Sequence, residues 1–215
     1  MHFDLKSIST DAVPKALEKA ERYRLLNEPN LAESICLDIL AISPSHQQAL
    51  VSLLLARTDQ FGHGATMKSA EEVLRRIDGE YERAYYAGLI WERQGHAHLH
   101  QHGVCSNANT YHALHEAMKH YERAEALRPH GNDDAILRWN ACVRVLMGNP
   151  EIRPLPDSEF QRCHNANPVS TRVSMCLPIS KKYRRSIGRL CSTYPNRISS
   201  DVALTHHLRF VHPLH

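Results

Sequence analysis

The sequence predicts an all-α fold, a right-handed stack of helical hairpins, and three observations lead there. Only 7% of the 215 residues are aromatic, while Ala and Leu, which lead the helix scale, are plentiful. The second observation is a spacing, Gly88, Trp91 and Gly95, then Ala117, Tyr121, Ala124 and Pro129. It puts small side chains where two helices cross and bulky ones where they part. The third is recurrence at a period of about 34 residues, the length of one helix-turn-helix unit.

The first unit runs from Val13, with Ala16, Ala20 and Tyr23 on one helix and Ala32, Cys36, Ile39 and Leu40 on the next. Thr10 or Asp11 is the expected cap, and Pro14 lies in the opening turn, where a missing N–H costs little. Pro29-Asn30 marks the turn between the helices, and Pro44 closes the unit. The second unit places Ala49, Leu50, Leu53, Leu54 and Ala56 on one helix and Ala70, Val73, Leu74 and Ile77 on its partner. Phe61-Gly62-His63-Gly64 breaks the chain between them.

The third unit opens near Tyr81 with a helix that should end at Gly95. Its partner, from Tyr111 to Pro129, is delayed: Ala117 fills a role due at position 100, an insertion of 17 residues. The inserted stretch, about residues 96–110, is polar and reads as a loop. A last helix, capped by Asn132 or Asp133, runs through Ala135, Ile136, Trp139, Cys142, Val143 and Leu146 to Gly148, and Pro150 stops it.

The chain thus divides into a lead (1–12), a repeat domain (13–150) and a tail (151–215) without period. The tail holds ten Lys/Arg against four Asp/Glu, which leaves 16 and 19 for residues 1–150. A net charge of +3 therefore conceals +6 against −3. The tail reads as a disordered or irregular basic segment.

No run approaches the roughly 20 apolar residues that span a bilayer, and Met1 to Thr10 lacks the apolar core of a secretory signal. A cytoplasmic protein with no membrane partner is expected. The six cysteines form no CxxC and are irregularly spaced, so all are read as reduced thiols. No G-x-S-x-G, HExxH, P-loop or GxGxxG occurs, and the neighbours Cys163 and His164 do not make a catalytic pair by adjacency. The sequence assigns no catalytic residue, no cofactor and no resident metal.

Two features offer alternatives. His96, His98, His100 and His102 alternate along the insert, with His112 and His115 one helical turn apart beyond it. Imidazoles in such numbers can take Zn²⁺, although alternate residues of a helix diverge. Lys181, Lys182, Arg184, Arg185 and Arg189, with Tyr183 among them, could hold a polyanion or nucleic acid.

Over about residues 13–147 the chain resembles the tetratricopeptide repeat family, as three repeats plus one extra helix. Ala20, Tyr23, Ala32 and Pro44 match its pattern, as do the seven positions from Gly88 to Pro129. Lys19 departs from it, and the register at Ser69-Ala70 is approximate. The resemblance implies a non-catalytic adaptor that holds a peptide or helix of a partner protein in a concave groove lined by the first helix of each repeat. The matching positions are Leu17, Glu21 and Arg24, then Val51 and Leu55, then Tyr85, Leu89, Glu92 and Arg93, and finally Asn140 and Arg144. Members that grip acidic chaperone tails carry Lys, Asn or Arg where this chain has Leu17, Glu21, Val51, Leu55, Tyr85 and Leu89. A free acidic C-terminus is therefore a poor ligand at those positions, and an apolar groove suits a segment anchored by its side chains.

Overall fold

A short 3-10 turn, Thr10–Ala12, leads into α1 (Val13–Leu25), whose buried Val13, Leu17 and Ala20 recur at the spacing of one helical face. The expected side-chain cap from Thr10 or Asp11 is not made; the turn itself supplies the entry, and Ala12 stands at the N-cap. The computed structural model of the protein describes residues 2–101 and 104–156, all within one compact unit of the chain. The tail beyond residue 156, with its basic stretch and Cys163-His164, lies outside the described residues, as does His102.

Leu26 to Glu28 turns the chain. Asn27 sits at φ +60°, a left-handed conformation that Asn tolerates better than most residues. The Glu28 N–H donates to the Tyr23 carbonyl at 2.8 Å, and Pro29 becomes the first residue of α2 (Pro29–Ile42). Pro29 therefore opens a helix, where its fixed φ is an advantage, instead of marking the turn.

The second hairpin is α3 (Gln47–Thr58) and the short α4 (Met67–Leu74). His46 caps α3 by accepting the Ala49 N–H at 3.2 Å, and Thr66 caps α4 by accepting the Ser69 N–H at 3.3 Å. The predicted breaker between them is a loop that folds Phe61 into the core. Glu33 of α2 holds this hairpin through Arg57 and Gln60, at 2.9 and 2.8 Å.

The third hairpin corrects the sequence expectation. Its first helix does not stop at Gly95: α5 runs Glu80–Leu99, and α6 runs Val104–Leu127. Against 13 residues in α1 and 14 in α2, the 20 of α5 and 24 of α6 absorb an excess of 17, the size of the insertion. The insert is thus helix on both arms. Ala108 and Thr110 are buried in the extension, Thr110 Oγ1 donates to the Gly95 carbonyl at 3.3 Å, and Ser106 Oγ donates to the His98 carbonyl. Small residues at close helical spacing let two polar-looking arms approach, which outweighs their weak apolar signal.

The last helix, α7, is Asp134–Gly148. Asp133 is its N-cap but makes no side-chain capping bond, its carboxylate lying 2.9 Å from Arg128 Nη1, while Asn132 Oδ1 accepts the Asp134 N–H at 3.0 Å.

The described residues thus form seven α-helices and no named strand. Each helix packs on the next, and α1 and α5 both also pack on α3. One core cluster joins α1 to α4 with the face of α5 carrying Leu89 and Ile90, and smaller ones gather around Tyr121 and Ala124 between α5, α6 and α7. The glycine of the opening motif has a steric cause. A Cβ on Gly88 would stand 2.7 Å from Cε1 of the buried Tyr121 ring.

Gly88→Ala should therefore destabilise. Overpacking costs about 1–3 kcal/mol, more than the ~1 kcal/mol that Ala gains over Gly within a helix. Leu53→Ala, at a position 1% exposed, should cost about 2–5 kcal/mol. Urea unfolding followed by circular dichroism measures both, and wild-type midpoints for the pair would refute the packing.

Candidate binding cleft

Three helices, α1, α3 and α5, border a cleft of about 480 Å³. Glu21, Arg24 and Leu25 line it from α1, Gln47, Gln48, Val51, Ser52 and Leu55 from α3, and Tyr86 from α5. On α3 the lining positions 48, 51, 52 and 55 are one helical stripe. Leu25 is 88% exposed at the rim, whereas Ser52 is buried at the floor. Four of the predicted groove residues, Glu21, Arg24, Val51 and Leu55, meet here.

The other predicted groove residues take different places. Leu17 and Leu89 are buried in the core shared by α1, α3 and α5, so they hold the helices together and do not line an open surface. Tyr85 is half-buried in an aromatic group, with ring centroids 6.0 Å from Tyr81, 5.2 Å from Tyr86 and 5.9 Å from Tyr121. Asn140 and Arg144 lie on α7 and do not line this cleft. Gln47, Ser52 and Tyr86 do line it, although the family positions pass over them. Tyr86 directly follows the expected Tyr85, Ser52 follows the expected Val51, and Gln47 lies one turn before Val51, so neighbourhood on the helix is the signal available.

Glu92 is the sharpest correction. Its side chain is 5% exposed and takes no part in an open groove. The Tyr121 hydroxyl donates to its Oε2 at 2.5 Å, and Arg138 Nη1 of α7 donates to its Oε1 at 3.1 Å. His96 Nε2 stands 3.8 Å from Oε1. Burial pushes the Glu92 carboxyl up, yet the neighbouring His96, the Tyr121 hydroxyl and the Arg138 charge together outweigh it and leave it below the usual carboxylate range. Burial first, and then the Glu92 charge, push the Tyr121 phenol far above its ordinary value. Glu92 is thus a buried anion that docks α7 onto α5 and α6.

Beside the cleft, Asp59 at the C-cap of α3 carries two guanidinium groups. Arg24 of α1 donates Nε to Oδ2 at 2.9 Å, and Arg93 of α5 donates Nη1 to Oδ1 at 2.6 Å. Arg93 is thereby explained as a partner of Asp59. The three side chains are 20%, 18% and 32% exposed, in the order Arg24, Asp59, Arg93, so solvent screens this bridge only in part.

Among the described residues the histidines in and beside the insert have separate surroundings. Gln94 and His98 share a 2.9 Å hydrogen bond along α5, His112 lies edge-on to Trp91 at 5.8 Å and His115 stacks on Tyr111 at 5.9 Å. Among the described residues no three His, Cys, Asp or Glu side chains are grouped to hold a metal ion. Cys36 and Cys142 are free and buried, and burial pushes their thiols up to about 11 and about 12. Cys105, at the start of α6, is disulfide-bonded. That corrects the reading of every cysteine as a reduced thiol, because spacing along the chain does not fix proximity in space. Among the described residues no helix is long and apolar enough to cross a membrane.

No protein-family model, no curated protein and no solved structure matches this chain.

The Glu92 cluster gives a pH dependence with a defined sign. Its folded carboxyl ionises below the ordinary 4.5, so the stabilisation it contributes is present above pH 4.5 and is lost as the pH falls from there through the folded value. Urea midpoints measured down from pH 6 should show that loss, and Glu92→Gln should remove the increment. The same substitution should cost about 2–3 kcal/mol at neutral pH, because it leaves Arg138 without its buried anion. An unchanged pH profile in Glu92→Gln would sink the assignment.

Proposed function

We propose that the chain is a tetratricopeptide-like repeat protein, a non-catalytic adaptor that takes a peptide or helix of a partner protein in the cleft between α1, α3 and α5. The observation that carries this reading is the cleft itself. Three odd-numbered helices meet at one surface, its α3 wall carries Val51 and Leu55, and an exposed leucine stands at its rim. A large apolar side chain on a surface costs solubility unless something covers it, and clefts of this size accept one or two anchoring side chains.

The order of packing supports the repeat reading. Helices pair with their sequence neighbours while α1, α3 and α5 lie along one side through contacts with α3. That is the arrangement expected of stacked hairpins, in which each unit buries its apolar face on the next. The fit of Tyr121 against Gly88 supplies the small-to-large complementarity that the pattern requires.

Mixed polarity at the rim, with Glu21, Gln47 and Gln48 beside Leu25, suits a ligand fixed by hydrogen bonds at its edges and by apolar side chains at its centre. Panning a phage-displayed peptide library on the full chain would recover such ligands, and titration would rank them. Leu25→Glu should weaken the recovered peptides about tenfold or more, the equivalent of one buried apolar side chain. It should leave the melting temperature in place, since the side chain is already exposed. Affinity unchanged from the unsubstituted chain in both Leu25→Glu and Val51→Lys would overturn the proposal.

A further inference from the structure

The helices that border the cleft are fastened unevenly. Packing within the α1–α2 and α5–α6 hairpins is far more extensive than between α1 and α3 or between α3 and α5, and α1 and α5 do not pack extensively on each other. Across that thin seam runs one three-membered charge bridge. Asp59 gives Oδ2 to Arg24 of α1 and Oδ1 to Arg93 of α5, so each oxygen is committed to a different helix.

We propose that Asp59 is a latch that sets the aperture of the cleft by holding α1 and α5 against the end of α3. The position is electrostatically unusual. A carboxylate at a helix C-terminus faces the negative end of the helix dipole and is disfavoured there, and the two guanidinium groups offset that cost. The reverse dependence is stronger. Arg24 and Arg93 converge on one carboxylate, so its removal leaves two like charges facing each other across the seam, in partly desolvated surroundings where repulsion is poorly screened. Loss of Asp59 therefore drives α1 and α5 apart as well as releasing them. Arg24 also lines the cleft, which connects the state of the latch to the surface a ligand would meet.

The geometry of the latch stands without the peptide-binding reading, and only its consequence for affinity rests on that reading. The test measures the two separately on the full chain. Donor and acceptor fluorophores carried by unnatural amino acids at Lys15 on α1 and at His100, the C-cap of α5, report the separation of the two helices. Transfer efficiency should fall in Asp59→Ala and Asp59→Asn, and Asp59→Glu should restore it because the anion is kept. Adding Arg93→Gln to Asp59→Ala should recover part of the loss by removing the like-charge pair. An Asp59→Ala chain that is folded by circular dichroism and has unchanged efficiency would overturn the latch. Should that variant fail to fold, Arg93→Gln alone decides: it keeps the Arg24 bond and frees α5, so efficiency should fall, and an unchanged value overturns the proposal. Peptides recovered on the unsubstituted chain complete the separation. A shift in distance with no peptide bound removes the binding reading and leaves the latch, whereas peptide binding without a shift removes the latch alone.

Discussion

The ring of Tyr121 occupies the space that a side chain on Gly88 would need, and its hydroxyl ends on the buried carboxylate of Glu92. That single seat couples steric fit to charge. The ring approaches α5 closely only because residue 88 has no Cβ, and close approach brings the phenol within hydrogen-bond distance of Glu92 Oε2, the carboxylate oxygen to which Arg138 does not donate. Glu92 then reaches the other way, to Arg138 of α7. Three helices are fixed by one glycine, one ring and one ion pair, and the aromatic group of Tyr81, Tyr85 and Tyr86 fills the space around them.

What the sequence made legible follows the same logic. Helix positions and core faces were readable because apolar residues at helical spacing leave a periodic trace, as at Val13, Leu17 and Ala20 or at Ala32, Cys36 and Ile39. The Gly88 to Pro129 spacing was readable because it records a close approach. The insertion was misread for the complementary reason. Its arms hold together through Ala108 and hydrogen bonds from Thr110 and Ser106, and these give a weaker apolar stripe than leucines would. A histidine-rich composition then looks like a loop although its backbone is helical.

The cleft was legible only by half. Position numbers carried over from a repeat pattern name the face of a helix, but they do not say how far each residue on that face stands from solvent. Leu89 and Glu92 share a face with Tyr85, yet both are buried, Leu89 in the core with α1 and α3 and Glu92 against Tyr121 of α6 and Arg138 of α7. Charge adds to the ambiguity. Glu92 and Arg93 are sequence neighbours with unlike fates, one committed to α6 and α7 and the other to α3. Nothing in a single sequence separates a charge that meets a partner from one that meets another helix.

The two charge clusters divide the labour of the fold in a way that bears on what the cleft can do. The Glu92 carboxylate and the Tyr121 ring are buried and backed by aromatic packing, with Arg138 and His96 reaching them from the surface, so the cluster fixes α5, α6 and α7 as one block. The Asp59 bridge is partly open to solvent and spans the seam where α1 and α5 meet the end of α3, above the core to which Leu17 and Leu89 belong. Under the proposed latch, the walls of the cleft at α1 and α5 are set by a bridge that solvent reaches, over apolar contacts that stay in place.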